Sequence, residues 1–131
     1  MAIGSDDAGY RLKGLIGVQE EGLEVADFGC HSEDPIDYRD VAFEVANAAA
    51  RGEHDRGTLI CDTGIGMSIA ANKVPGVRAA QAHDAYSAER ARFSNDARTI
   101  ALGARVIGPE LAKSIVRTWL QAEFAGGGSA R

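Results

Sequence analysis

Leu59-Ile60-Cys61-Asp62-Thr63-Gly64-Ile65-Gly66-Met67-Ser68-Ile69-Ala70-Ala71-Asn72 is an apolar run that ends in a cysteine, followed by a glycine-bearing turn and then small residues. Physically it reads as a buried strand that stops, a loop with open backbone N–H groups and a helix amino terminus. Such a loop cradles anions, because the helix dipole and the unpaired N–H groups of the first turn both favour negative charge. Glycine at 64 and 66 lets the backbone approach a ligand closely. Cys61 falls at the carboxyl end of the strand, where open α/β sheets place their ligands. The same electropositive setting favours a thiolate and makes Cys61 the candidate reactive thiol. An inert, packed cysteine beside a structural turn is the blander reading, and the adjoining Thr63-Gly64-Ile65-Gly66 weighs against it.

Strand and helix alternate on both sides of this stretch. Met1-Ala2-Ile3-Gly4 reads as a short edge strand, and Ser5-Asp6-Asp7-Ala8-Gly9 as a polar turn with helix-capping residues. A helix is expected over 10–21, with Leu12, Leu15, Ile16 and Val18 apolar and Gly14 and Gly17 weakening it. Gly22 suits its C-cap, and the alternation over 23–28 reads as a strand. Residues 29–37 form a polar loop in which Pro35 forbids an early helix. Asp37 caps a helix facing inward through Val41, Ala42, Val45, Ala46 and Ala49 and ending at Gly52.

Beyond the strand at 58–61 and a helix at 67–73, residues 77–82 are short and mostly apolar, His83-Asp84 opens a helix to Phe93, and 99–103 form a fifth strand. Pro109 suits position N1 of a last helix, with Leu111, Ile115, Val116, Trp119 and Leu120 inward. The expected fold is α/β: a three-layer α/β/α sandwich around a doubly wound parallel sheet of about five strands. One domain covers 1–124, and 125–131 is a flexible Gly/Ser tail that a ligand or a partner's site would order.

The chain has 131 residues, 45% of them hydrophobic and 25% charged, with a formal net charge of −5. That balance suits an ordinary globular domain and argues against nucleic acid or an acidic membrane surface as the main partner. Two cysteines, Cys30 and Cys61, make no disulfide framework, so a reducing cytoplasm is the expected compartment.

Read together, Ile3-Gly4-Ser5-Asp6, Asp27-Phe28-Gly29, Asp37-Tyr38, the Cys61–Met67 run, Ala70-Ala71-Asn72-Lys73, Asn95-Asp96-Ala97 and Gly103-Ala104-Arg105-Val106-Ile107-Gly108 resemble one family over essentially the whole chain. It is the type B ribose-5-phosphate isomerases, with the related galactose-6-phosphate isomerase subunits. The resemblance implies a Rossmann-like sandwich, a homodimer or dimer of dimers with shared active sites, and cofactor-free, metal-free aldose–ketose isomerisation through a cis-enediolate. Carried over by position, Cys61 moves the proton between C1 and C2, assisted by Thr63. The backbone of Gly64, Ile65, Gly66, Met67 and Ser68, with the Asn95 side chain, stabilises the enediolate oxygens. Asp6 binds sugar hydroxyls, Asp7 contacts substrate, and Tyr38 lines the pocket near the thiol. Arg105, reaching across the dimer, binds phosphate with help from Arg131.

The chain departs from the family pattern at four places. Asp7 and Ser94 stand where histidines are common, the latter credited with ring opening. Asp62 replaces a usual glycine, and Gly127-Gly128-Ser129 lacks a tail arginine. These departures bear on the substrate, whose length, stereochemistry and phosphorylation stay open: a pentose phosphate or a related sugar or sugar phosphate. A non-catalytic sugar-phosphate binding homologue is the alternative function. His31, His54 and His83 read as structural or solvated, Cys30 as a packed small side chain, and Asp34, Asp37 and Asp40 fit no recognised metal-ligand spacing.

Overall fold

A computed structural model describes residues 1–19 and 23–130. The elements are β1 (Ala2–Ser5), α1 (Tyr10–Gln19), β2 (Ala26–Asp27), α2 (Tyr38–Ala50), β3 (Gly57–Cys61), α3 (Ile65–Asn72), β4 (Ala79–Gln81), α4 (Ala85–Phe93), β5 (Thr99–Gly103) and α5 (Pro109–Gln121). They build one parallel five-stranded sheet in the order β2-β1-β3-β5-β4, covered by helices on both faces. The expected three-layer, doubly wound architecture is the one observed.

Alternation along the strands sorts the core into two clusters. Ile3, Ile60, Ile100 and Leu102 face α1 and α5, meeting Leu12, Ile16, Ile115, Val116 and Trp119. Ala2, Leu59, Cys61 and Ala101 face α2 and α3, meeting Val41, Val45, Met67 and Ala70. Cys61 therefore closes β3 on the α2/α3 side.

β1 is an interior strand and not an edge, fully buried between β2 and β3. Its small residues make that possible: a Cβ on Gly4 would lie 2.4 Å from a methyl of Val41. The strand expected over 23–28 shortens to Ala26–Asp27, although Phe28 N–H still donates to the carbonyl of Ile3 and Cys30 N–H to that of Ser5. The strand expected over 77–82 shortens to Ala79–Gln81 at the other edge. α3 begins at Ile65, two residues early, because Gly64 adopts the left-handed conformation (φ 83°) that caps it.

Two inward assignments fail for a geometric reason. Leu111 is 43% exposed, because the buried stripe of α5 runs through Ala112, Ile115, Val116 and Trp119 at helical spacing. Ala49 is half-buried while Ala48 is buried. On α1, Leu15 is exposed and Lys13 is buried, its ammonium donating to Asp27 (2.8 Å) and to the carbonyl of Cys30. The expected C-cap at Gly22, and helix at 20–21, lie outside the described residues. Among the described residues, no helix is long and apolar enough to cross a membrane.

Candidate active site

The strand order reverses between β1 and β3, since β1 leads to β2 on one side and later strands add on the other. A crevice forms where the connections from such neighbours diverge, outside the carboxyl ends of the strands. Asp6 follows β1 and Cys61 ends β3, so the fold brings these two to one place. Asp6 N–H donates to the carbonyl of Ile60 at 3.2 Å, tying the two strand ends directly.

Cys61 is 6% exposed, and its Sγ accepts a hydrogen bond from Gly64 N–H at 3.1 Å. Thr63 Oγ1 accepts from Ile65 N–H at 3.2 Å, which turns the chain into α3. Ser68 N–H donates to Gly64 carbonyl as the first helical bond. The N–H groups of Gly66 and Met67 stand in the first turn of α3, where no preceding helical carbonyl is available to them. Two glycines are there for space. A Cβ at Gly66 would lie 2.7 Å from the Tyr38 ring, and one at Gly103 would lie 2.7 Å from the Thr63 backbone. Tyr38, at the start of α2, thus leans on the first turn of α3 beside the thiol loop.

Burial pushes the Asp6 carboxyl above its ordinary value, against the lowering effect of the Gly9 N–H it accepts (3.1 Å); the like charges of Asp7 and Asp62 add to the rise. Asp7 accepts from Ile36 N–H at 3.3 Å and so holds the loop before α2. Asp37 caps α2 as expected, accepting from Arg39 N–H, and the Arg39 guanidinium lowers its carboxyl to about 2. Its role is accounted for without a metal.

Arg105 lies beside its own chain's Cys61 loop. Its N–H donates to the Asp62 carbonyl at 3.1 Å, and its Nε is 3.1 Å from Asp62 Oδ1. The side chains are 79% and 51% exposed, and the contact lacks hydrogen-bond geometry, leaving Oδ1 without a donor. An exposed pair of this kind contributes ~0–1 kcal/mol, so an arriving anion displaces it at small cost.

Asn95 is elsewhere. It precedes β5, at the amino end of the sheet, and β5 alone puts about 13 Å of strand between that end and the Cys61 loop at ~3.3 Å per residue. There Asn95 lines a cleft of about 520 Å³ with Arg78, Arg90 and Ser129. Its carbonyl accepts from Arg78, which also donates to the Ser129 carbonyl within the short 3₁₀ turn Gly128–Ala130. Ser94 is the C-cap of α4 at that same end. Arg131 lies outside the described residues.

Gln81, at the end of β4, reaches the thiol loop, and His83, just after β4, meets the end of β5. Gln81 Nε2 donates to the Thr63 carbonyl at 2.8 Å, and His83 Nε2 accepts from Gly103 N–H at 2.9 Å. Burial holds the His83 imidazole below its ordinary value, outweighing the opposite pull of Asp84, which suits an acceptor nitrogen. His83 matches the structural reading; the sequence signal for Gln81 is the one polar residue in Ala79-Ala80-Gln81-Ala82.

Comparisons with known proteins agree with this geometry. The family model described as Ribose/Galactose Isomerase matches residues 1–131. The chain is 59% identical to a D-erythrulose-4-phosphate isomerase of Pectobacterium atrosepticum, over 99% of this chain and 88% of that protein. It is 50% identical to a ribose-5-P isomerase B of Listeria innocua, over 98% and 88%. The solved structure of Clostridium thermocellum ribose-5-phosphate isomerase B superposes with a TM-score of 0.94 at 53% identity, covering 96% of this chain and 86% of that one. With a whole-chain family match and relatives and a solved structure at this identity, the chain belongs to the ribose/galactose isomerase family and is a sugar-phosphate isomerase of the aldose–ketose class.

Proposed function

We propose that this enzyme interconverts a short ketose phosphate and its aldose, with D-erythrulose 4-phosphate as the preferred ketose and Cys61 as the proton carrier. The observation that carries the chemistry is Cys61 Sγ at the end of β3 accepting the Gly64 N–H, next to the open first turn of α3. The thiolate removes a proton from C1 of the ketose, and the electron pair moves to the C2 carbonyl oxygen to give a cis-enediolate. A proton passes from O1 to O2, the thiol returns its proton to C2, and C1 becomes the aldehyde. Atoms balance with no redox partner. The N–H groups at the start of α3 sit where developing negative charge needs preorganised donors. Arg105, freed from Asp62, receives the phosphate.

Chain length follows from ring chemistry. A pentose phosphate is mostly cyclic, and serine at 94 is a poor proton carrier at neutral pH. A tetrose 4-phosphate has no free C4 hydroxyl with which to close a furanose, so no ring-opening group is required. The 59% identity to an enzyme named for erythrulose 4-phosphate supports the same choice. Asn95, distant from Cys61 within one chain, serves the enediolate from a second copy of the chain, in a homodimer with shared sites in the cytoplasm.

The test compares kcat/KM for erythrulose 4-phosphate, ribose 5-phosphate, and unphosphorylated ribose and allose. Erythrulose 4-phosphate is expected to lead. If ribose 5-phosphate leads by ~10-fold, about 1.4 kcal/mol of transition-state discrimination, the substrate assignment is wrong.

A further inference from the structure

The Thr63–Gly64 peptide is one rigid planar unit with two partners. Its N–H donates to Cys61 Sγ at 3.1 Å, and its carbonyl accepts from Gln81 Nε2 at 2.8 Å. Rotating that plane to lose one bond loses the other. Gly64 holds it in the left-handed conformation (φ 83°), and even a Cβ there would lie 3.0 Å from the Leu102 backbone, so the peptide has little room to find another pose. Gln81 comes from the edge strand β4 and reaches past β5 to do this. Donation to a peptide carbonyl also polarises the unit and strengthens the N–H on its far side.

From this we infer that Gln81 is a positioning residue for the reaction: through the Thr63–Gly64 peptide it aims an N–H at Cys61 and so favours the thiolate. The inference rests on Cys61 being the proton carrier. It needs no substrate contact by Gln81. A hydrogen bond to the charged form of an acid favours that form, so losing the aim of this N–H disfavours the thiolate.

Other charged or titratable groups stand at this end of the sheet: Asp6 and Asp7 after β1, Asp62 and Arg105 flanking the loop, His83 after β4, and Tyr38 from α2. They are unchanged in a Gln81 variant and cancel in a comparison with the parent. Gln81 is exposed, so its replacement leaves the core intact.

The experiment titrates the thiolate by its ultraviolet absorbance in the parent, Gln81→Met and Gln81→Glu, each read against the same protein carrying Cys61→Ser. That subtraction removes Cys30, which is buried and bonded to the Ser32 carbonyl away from the loop. Met keeps the length and removes the donor. Glu keeps the shape and, when ionised, presents only acceptors to the Thr63 carbonyl. The thiolate midpoint is expected to rise by about half a pH unit in Gln81→Met, roughly threefold less thiolate at a given pH below it, and further in Gln81→Glu. Turnover is expected to fall with KM little changed. An upward shift of ~0.2 unit or more in Gln81→Met sustains the inference; a smaller or downward shift, with thermal melting unchanged, overturns it. The titration reads the thiol whether or not Cys61 is the base, so it fails independently of the Cys61→Ser turnover that tests the base itself.

Discussion

At the carboxyl end of the sheet, polar groups around Cys61 are mostly backbone: one N–H on the sulfur, a glycine cap, and first-turn amides without helical partners. Among the charged side chains there, Arg105 and Asp62 form an exposed pair. At the amino end, around Asn95, charges are tied to one another. Arg92 pairs with Asp96, Arg98 bridges Asp96 and Asp55 (2.7 Å), and Arg78 holds the Asn95 and Ser129 carbonyls. One end leaves backbone donors open at a helix start; the other ties most of its charged side chains into ion pairs and carbonyl contacts. On the proposed function, which draws on both Cys61 and Asn95, this separation calls for two copies of the chain.

Removing the thiol tests the first half of that contrast and carries the largest expected effect. Cys61→Ser should keep the fold and sugar binding and lower turnover at least ~100-fold, about 2.7 kcal/mol. Steady-state rates within a few-fold of the parent would leave the carboxyl end without its chemistry.

The contrast sharpens when the two ends are broken in different molecules. Arg105 contacts its own chain's Asp62, which makes Asn95 the better partner mutation. Cys61→Ala and Asn95→Ala, each inactive alone, should recover activity on mixing and subunit exchange. If every site takes one residue from each copy, random pairing returns about a quarter of wild-type activity. Mixed dimers seen by mass spectrometry without any recovery would dismiss the composite site.

The smallest effect is a pH dependence of the brace at the carboxyl end. His83 is held below its ordinary value of 6.5 by burial. The unfolded chain takes up a proton as pH falls through 6.5 while the folded chain resists. Stability is thus full above that value and is lost as pH falls through the folded one. His83→Gln keeps an acceptor for Gly103 N–H but does not titrate. Its melting temperature should fall ~2 °C less than the parent's between about pH 7.5 and 5.5. Equal falls in both proteins would remove His83 from the account.

Local patterns carried much of this molecule. Residues 59–72 contain their own strand, turn and helix start, and the glycines at 64 and 66 stand where the backbone later needs a left-handed cap and a passage for Tyr38. Asp37 reads as a cap from its neighbours alone, and alternation of strand with helix implies parallel pairing. The limits of that legibility are physical. Periodicity says which face of an element is buried, not what lies against it. The short apolar start suggests an edge strand where small residues in fact fit β1 for the interior, and periodicity does not show Lys13 turned inward onto Asp27 and Cys30. Nor could it show Asn95 left at the opposite end from Cys61, or Gln81 gripping the peptide that aims at the sulfur, 18 residues away in sequence. The strand–loop–helix setting of Cys61 and the α/β class are legible in the chain because they depend on residues adjacent to one another. The order β2-β1-β3-β5-β4, and with it which groups meet beside the carboxyl end of β3, emerges from the folded chain, because strand order is set by crossovers between segments distant in sequence.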